Sequence, residues 1–594
     1  MGITEPFDPA VIQSGGTANS QVIHSVGEQP NVTVLSIPYL SFVELEQGGA
    51  AQLPAFERLK ATGEWAAMNV RVPFKGLESV YATWGAGQMT DARGAQGWNA
   101  GERRNGQRGA AMLERFSGAQ GEAGPTAAAA VLVPDMESIR AANAAGVYLP
   151  EPGLLGSTLQ AQGIRIAVWS DLDLPGGGGE HYRRPAPLMV MNEHGLVEHG
   201  RVGERLFMER AGMPYGVQTR YDWLLAQWQK ERGAAAAAGS LQVIELGDLY
   251  RLYEEKARYA PDAFVQTKRL VLEQLDLFLG ELMRAMGEDS MRGVLWLVSP
   301  QVHTDAKQEK MLLTPAVRWL PNSSGSKWLT SETTRRLGVI AAVDLAPSLL
   351  REYGLSSPKE IIGRPVMAAP ASSGSATLDA LLVEVRNMSK IYALRPPMLY
   401  SLAGYEIGAM LLGLTFAWRR RLRSRGQLML EQGAERSSVW WGFAVRGMLF
   451  SVLLLPALLL SMGWLVAWSV PWLVGYVLVG VLAGGAIVAY VTGGSASRLI
   501  AALGWIGGVV SALIIADGLT GAEAMKHSVL GYDVLIGARY YGIGNEFMGV
   551  LLGAAVLGLS AGLQARARRR PAAARAAHRL DNRIQRKSSE GHRF

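Results

Sequence analysis

Nine residues in the last third of the chain carry groups that could act together: Glu406, Asp517, His527, Asp533, Arg539, Tyr540, Tyr541, Asn545 and Glu546. Five of them fall in one short stretch, GARYYGIGNEF, residues 537–547. A guanidinium, two phenols, an amide and a carboxylate at the mouth of an apolar helix can hold an anionic or glycan-linked ligand. The same groups can instead pin helices together, with Arg539 paired to Glu406 or Glu546. Ionisable groups inside apolar segments are costly, so each asks for a partner or a role. Gly537, Gly542, Gly544 and Gly549 surround the polar residues and permit tight turns and close approach. Non-helical backbone at membrane depth needs a cover of protein or water, so a short re-entrant loop is the expectation.

A second polar set is Asp171, Asp173, His181, His194, Glu198 and His199. Hard and borderline metals accept such groups, but the spacing matches no tight metal motif. The expectation is a solvated polar loop, with no metal and no cofactor. The chain has no cysteine, which excludes disulfides, thiolate zinc sites and thiol nucleophiles.

The elements that position the first set are hydrophobic. Five segments have the length of a membrane span: 398–418, 444–467, 471–492, 498–517 and 546–563. Trp440, Trp441, Trp464, Trp468 and Trp472 sit near their ends, where amphipathic rings settle. Of the net charge of +7, the tail from Gln564 to Phe594 carries +8 and Arg419–Arg436 carries +4, leaving −5 elsewhere. Basic blocks confined to the flanks of apolar segments mark cytoplasmic loops, not a nucleic-acid surface. Five spans with a cytoplasmic tail put residues 1–397 and the loop 518–545 outside. Export calls for a signal sequence, and MGITEPFDPAVIQSGG has neither a basic n-region nor an apolar core. The expectation is a start further upstream or a processed form.

The first two thirds read as α/β. Apolar, β-branched runs at 32–37, 129–134, 164–169, 187–192, 241–246 and 294–299 predict strands buried on both faces. Between them lie helical patterns, clearest at 262–286, where Val265, Leu272, Leu275, Leu279 and Leu282 recur at helical spacing. Strands alternating with helices predict a mostly parallel sheet covered on both sides.

The segment LTSETTRRLGVIAAVDLAPSLLREYGLSSPKEIIGRPV, residues 329–366, resembles the C-terminal part of alkaline-phosphatase-superfamily domains. That superfamily includes phosphatases, phosphodiesterases, sulfatases and phosphoglycerol transferases. Asp344 can cap the following helix and Gly354 suits its end. VTVLSIPYLSFVELE (32–46) stands where the family has its first strand and first metal ligand. NVRVPFKGLESVYATWGAG (69–87) stands at the nucleophile segment, and VLWLVSPQVH (294–303) where a strand usually ends in an Asp-His metal pair. The resemblance implies an alkaline-phosphatase-like α/β/α sandwich and two metal ions that activate a Ser or Thr hydroxyl. This sequence departs from that set three times. Ile37-Pro38-Tyr39 replaces the first ligand, Gly76 or Leu77 falls at the nucleophile with Ser79 displaced, and Ser299-Pro300 replaces the Asp-His pair.

The expectation is therefore a flexible segment 1–30, a degenerate sandwich domain 31–367, a linker 368–397, a transmembrane helical bundle of about five spans 398–563, and a basic tail 564–594. No catalytic residue is assigned. The expected partners are membrane lipids and an envelope glycan or lipid-linked ligand, bound without hydrolysis, and not nucleic acid. An active metal-dependent phosphodiesterase or phosphotransferase on lipid-linked phosphate is the alternative. A transport or assembly partner is the third reading, though no inverted repeat is visible.

Overall fold

A computed structural model describes residues 29–47, 53–104, 106–117, 129–146, 148–176, 181–288, 293–323, 325–369, 377–424 and 434–590. Residues 1–28, most of the expected N-terminal segment, lie outside that set. Two compact units result. A sandwich unit takes 29–389 together with Val534–Tyr540, and a helical unit takes Lys390–Asp533 and the chain from Tyr541 on.

Ten strands make the main sheet of the sandwich unit: β1 (Asn31–Ser36), β2 (Glu64–Asn69), β3 (Arg165–Ser170), β4 (His199–Val202), β5 (Ser240–Glu245), β6 (Gly293–Val298), β7 (Thr314–Trp319), β8 (Lys327–Thr330), β9 (Val339–Ala341) and β10 (Met367–Ala368). Their order is β10-β8-β2-β7-β6-β1-β5-β3-β4, with β9 also on β2. β1 is parallel to β5 and to β6, in register Val34 with Val243 and Val34 with Trp296. β7 is antiparallel to both β6 and β2, so β2 runs with the parallel majority. Val32, Val34, Val243, Leu295 and Trp296 are all buried. A buried side chain of this kind stabilises by about 1.5–3 kcal/mol, which is what selects unbroken apolar runs for the central strands.

Four of the six expected strands are in this sheet. The run at 187–192 is instead a short buried helix, α2 (Pro187–Val190), following α1 (Leu77–Ala86) in the chain. An apolar run of that length serves a buried helix as well as a strand, and Pro187 in its first turn favours the helix. At 129–134 only Val131–Leu132 is strand, in a separate antiparallel three-stranded sheet. Further helices are α3 (Asp248–Glu254), α4 (Pro261–Glu288), α5 (Thr304–Gln308) and α6 (Leu345–Glu352). α4 buries Leu272, Leu275, Leu279 and Leu282, while Val265 is exposed and does not belong to the stripe.

Among the described residues, five helices are long and apolar enough to cross a membrane. They lie within α7 (Leu378–Ser424), α8 (Ala434–Ser461), α9 (Val470–Thr492), α10 (Ala496–Leu519) and, after the short α11 (Glu523–Lys526), α12 (Asn545–Glu590). α8 packs on α9 and α10 on α12. Gly485 of α9 allows the first contact, since a Cβ there would lie 2.3 Å from the Gly447 carbonyl oxygen.

Part of the expected linker is helix. α7 begins at Leu378 and runs through Pro396 and Pro397, while 370–376 lies outside the described residues. Leu378, Leu381, Leu382, Val385 and Met388 form a buried stripe at helical spacing. That stripe makes the segment an amphipathic helix, and the boundary between units falls within α7, at Ser389. The tail is helical as far as Glu590.

Candidate functional site

In an open α/β sheet, ligands sit beyond the carboxyl ends of the strands where the strand order reverses. Here that place is between β1 and β6, since the chain leaves β1 to build one side through β5 and the other through β6. Three residues past β1 comes Tyr39, with φ +71°. For a large side chain this left-handed conformation costs roughly 1–2 kcal/mol. The surroundings impose it. The Tyr39 N–H donates to the Gln301 carbonyl at 2.9 Å, and its hydroxyl donates to Glu254 at 2.7 Å. Its ring lies 5.0 Å from that of Tyr250 and 5.9 Å from that of Tyr253.

Tyr39 and Tyr250 wall a pocket of about 160 Å3. α1 contributes Leu77 and Glu78 from its first turn, and Gln301 enters from beyond β6. Gln96, Arg183 and Pro185 complete the lining. Glu78 accepts from the Gly94 N–H at 3.2 Å. Burial, followed by Glu254, holds the Tyr39 phenol above its ordinary range, and burial pushes Tyr250 up to about 12. Both phenols are therefore neutral donors at physiological pH.

Two of the three departures read from the sequence reach this pocket, through Tyr39 and Leu77, while Ser299 and Pro300 lie outside its lining and their neighbour Gln301 enters it. Tyr39 follows β1, Leu77 starts α1 and Gln301 follows β6. Ile37 is buried and apolar. Ser299 is buried and donates to the Gln301 carbonyl at 3.1 Å. Ser79 is buried and accepts from the Ala92 N–H at 3.1 Å. Among the described residues Glu78 is the one carboxylate in the lining. Among the described residues no three of His, Asp and Glu come together as metal ligands. The residues present do not fit a two-metal centre.

The buried acids nearby are bound to guanidinium groups. Arg251 meets Asp171 at 3.0 Å and Asp248 at 2.6 Å, all three buried. Arg184 meets Asp173 at 2.7 Å and Glu102 at 2.6 Å. His194 is exposed in the turn before β4, beside Glu193, and His199 is half-buried at the start of β4, beside Glu198. The polar set expected to be a solvated loop is thus split, with its two aspartates inside the fold.

Sequence reasoning missed two clusters. Ser41, Glu44 and His303 lie within 3.2 Å of one another, with Tyr253 stacked on the His303 ring at 4.0 Å. This is not a nucleophilic triad. Hydroxyl and carboxylate share Nε2, and Nδ1 accepts from the Ala306 N–H at the start of α5, so no orienting acid holds the far nitrogen. The second cluster is Glu245 at the end of β5, which accepts from Tyr81 at 2.5 Å and from Ser170. Burial pushes its carboxyl up to about 8. A lone acid in the strand LQVIEL was the available signal. Asp344, expected to cap α6, instead accepts from Ser331, Thr333 and the N–H groups of Ala341 and Arg364. Gly354 does close the helix, at φ +71°.

The nine residues of the expected site are divided between the units. Arg539 and Tyr540 belong to the sandwich unit, and the other seven to the helical unit. In the sandwich unit, Val534–Tyr540 is seated on the carboxyl ends of β2 and β9. The Asn69 amide donates to the carbonyls of Val534 and Leu535 at 2.7 and 3.1 Å. Arg336 donates to the Tyr540 carbonyl at 3.0 Å. The Tyr540 side chain is buried and Arg539 is exposed. In the helical unit, Asp517 accepts from the N–H groups of Ala524 and Met525 at 2.9 Å each, which caps α11. Arg395 pairs with Asp533 at 3.6 Å. His527 Nδ1–H donates to the Glu523 carbonyl at 3.0 Å. Glu406 is half-buried, and Tyr541, Asn545 and Glu546 are exposed.

Fold and site together define an α/β/α sandwich with a small aromatic pocket at its carboxyl edge, on a chain with five apolar helices of spanning length. No protein-family model matches the chain, and no curated protein matches it. Similar solved structures include a protein of the alkaline phosphatase superfamily from Vibrio parahaemolyticus, at TM-score 0.33 and 12% identity over 57% of this chain and 69% of that one. Lipoteichoic acid synthase LtaP from Listeria monocytogenes is similar at 0.34 and 8%, over 62% and 92%. The C-terminal periplasmic domain of EcEptC from Escherichia coli is similar at 0.31 and 10%, over 56% and 84%. What those names say of substrate belongs to those proteins.

Proposed function

We propose that this chain is a multi-pass cell-envelope protein whose sandwich unit lies outside the cytoplasmic membrane and binds, without hydrolysing, an anionic or glycan-linked envelope component. The carrying observation is the pocket beyond β1 and β6. It is lined by Tyr39, Leu77 and Gln301, so it offers a shaped, partly apolar site with no nucleophile and no metal-binding set. Membrane lipids would cover the exposed apolar faces of the helical unit, for example Leu414, Leu482, Trp505 and Leu559. The basic blocks at Arg419–Arg436 and Gln564–Phe594 favour a cytoplasmic position for both.

Purified full-length protein in detergent should release no nitrophenol from nitrophenyl phosphate mono- and diesters with Mg2+, Mn2+ or Zn2+ present. It should retain lipid-linked or polymeric envelope glycan in a pull-down from solubilised envelopes. Metal-dependent turnover that an alanine at Glu78 abolishes would overturn the reading.

A further inference from the structure

Resting on that binding reading, we infer that the pocket beyond β1 and β6 takes one neutral sugar ring, stacked on the wall formed by Tyr39 and Tyr250. Size is the first reason. Pockets for drug-sized ligands run to about 300–1,000 Å3, so a pocket of about 160 Å3 admits a single ring of a saccharide. Charge is the second. Among the described residues the lining holds one acidic side chain, Glu78, and one basic one, Arg183, and the Glu254 carboxylate lies just behind Tyr39. A phosphate or sulfate group there would face carboxylates, which a neutral ligand does not oppose.

Hydrogen-bonding type is the third reason. Glu78 accepts only, Arg183 donates only, and Gln96 and Gln301 can do both. Sugar hydroxyls donate and accept at once, so they match a mixed lining that a purely anionic ligand would not. Tyr39 and Tyr250 add aromatic carbon to the lining, which suits the C–H face of a pyranose.

Backbone strain at Tyr39 points the same way. Glycine would adopt φ +71° without cost. What tyrosine adds at that position is a ring in the pocket wall and a hydroxyl tied to Glu254. Strain of this kind collects at ligand sites, where surrounding structure holds it in place.

The test uses full-length protein in nanodiscs and saturation-transfer NMR. One arm uses methyl glucosides, methyl galactosides and N-acetylglucosamine. The other uses inorganic phosphate and glycerol phosphate. We expect transfer to the ring C–H protons of at least one saccharide. Tyr250→Ala and Tyr39→Gly should each weaken binding at least tenfold. Melting curves of both variants in the same nanodiscs should show them folded at the assay temperature, which separates loss of the site from loss of the fold. Binding of phosphate-bearing probes without sugars would overturn the sugar assignment and leave the binding reading standing. Sugar binding that both variants leave unchanged, or binding of no probe at all, would also overturn it. Sugar binding together with ester turnover would overturn only the claim that the site does not hydrolyse.

Discussion

Glu245→Gln should flatten the pH dependence of stability of the sandwich unit. The Glu245 carboxyl is 1% exposed and ends β5, facing Tyr81 and Ser170. Burial is the main cause of its elevated titration, hydrogen bonds from Ser170 and Tyr81 oppose it, and Asp171 and Asp173 add to it. In the folded chain it titrates at about 8, against 4.5 for an ordinary glutamate. Between those values the unfolded chain has released the proton and the folded chain still holds it. Fewer protons on the unfolded state mean that stability falls as pH rises. The loss starts near pH 4.5, continues to about 8 and is complete above that. The interval of about 3.5 pH units, at about 1.4 kcal/mol each, gives a loss of about 5 kcal/mol, a large part of a domain's usual 5–15 kcal/mol.

Glutamine keeps the shape and an acceptor oxygen but cannot ionise. The assay is tryptophan-fluorescence melting of full-length protein in detergent, from about pH 5 to about pH 9, for parent and variant in parallel. The groups other than Glu245 titrate in both chains, so the difference between the two curves isolates it. The variant should melt close to the parent at the acid end and several degrees above it at the alkaline end. Parallel curves across the range would refute the reasoning, since they would mean that Glu245 is already ionised in the fold.

Two further substitutions test other parts of the structure. Gly537 has φ +66°, and a Cβ there would lie 2.4 Å from the Asn69 Oδ1, so Gly537→Ala should weaken the seat of Val534–Tyr540 by about 1–3 kcal/mol. Limited proteolysis within 534–540 should then be faster, and an unchanged rate would count against that seat. Arg251→Met leaves Asp171 and Asp248 buried without their cation and should cost about 3–5 kcal/mol, read as a lower melting temperature that Asp171→Asn with Asp248→Asn partly restores.

The central strands were legible because each is a continuous apolar run, and the spans because their length is set by the bilayer. β2 was not, because EWAAMN carries a glutamate and two alanines and takes its strand from neighbours on both sides. β7 hid behind Pro315 and Arg318, whose guanidinium is tied to Glu64 and Glu352. At the site, the sequence pointed to the stretches after β1, at α1 and after β6. It could not show that Tyr39, Leu77 and Gln301 line one pocket, because Tyr250 and Arg183 join them from distant parts of the chain. The loop at 537–547 shows the converse limit. Its residues are neighbours in sequence, yet Arg539 and Tyr540 belong to one compact unit and Asn545 and Glu546 to the other.

The crevice at the carboxyl edge of the sheet is set by the backbone. The crevice beyond β1 and β6 is made by strand order and by the parallel register of Val34 with Trp296, neither of which depends on the side chains that follow the strands. The side chains that follow the strands, such as Tyr39 after β1 or Ser299 and Pro300 after β6, decide what fills the crevice and leave its walls where the sheet puts them. A crevice with no ligand could close over small apolar side chains at little cost. This one instead holds a tyrosine in a strained conformation, pins its hydroxyl to Glu254, and places a second tyrosine 5.0 Å away. The hydrogen bond and the ring contacts offset the strain at Tyr39, so this pocket wall is fixed by the fold itself.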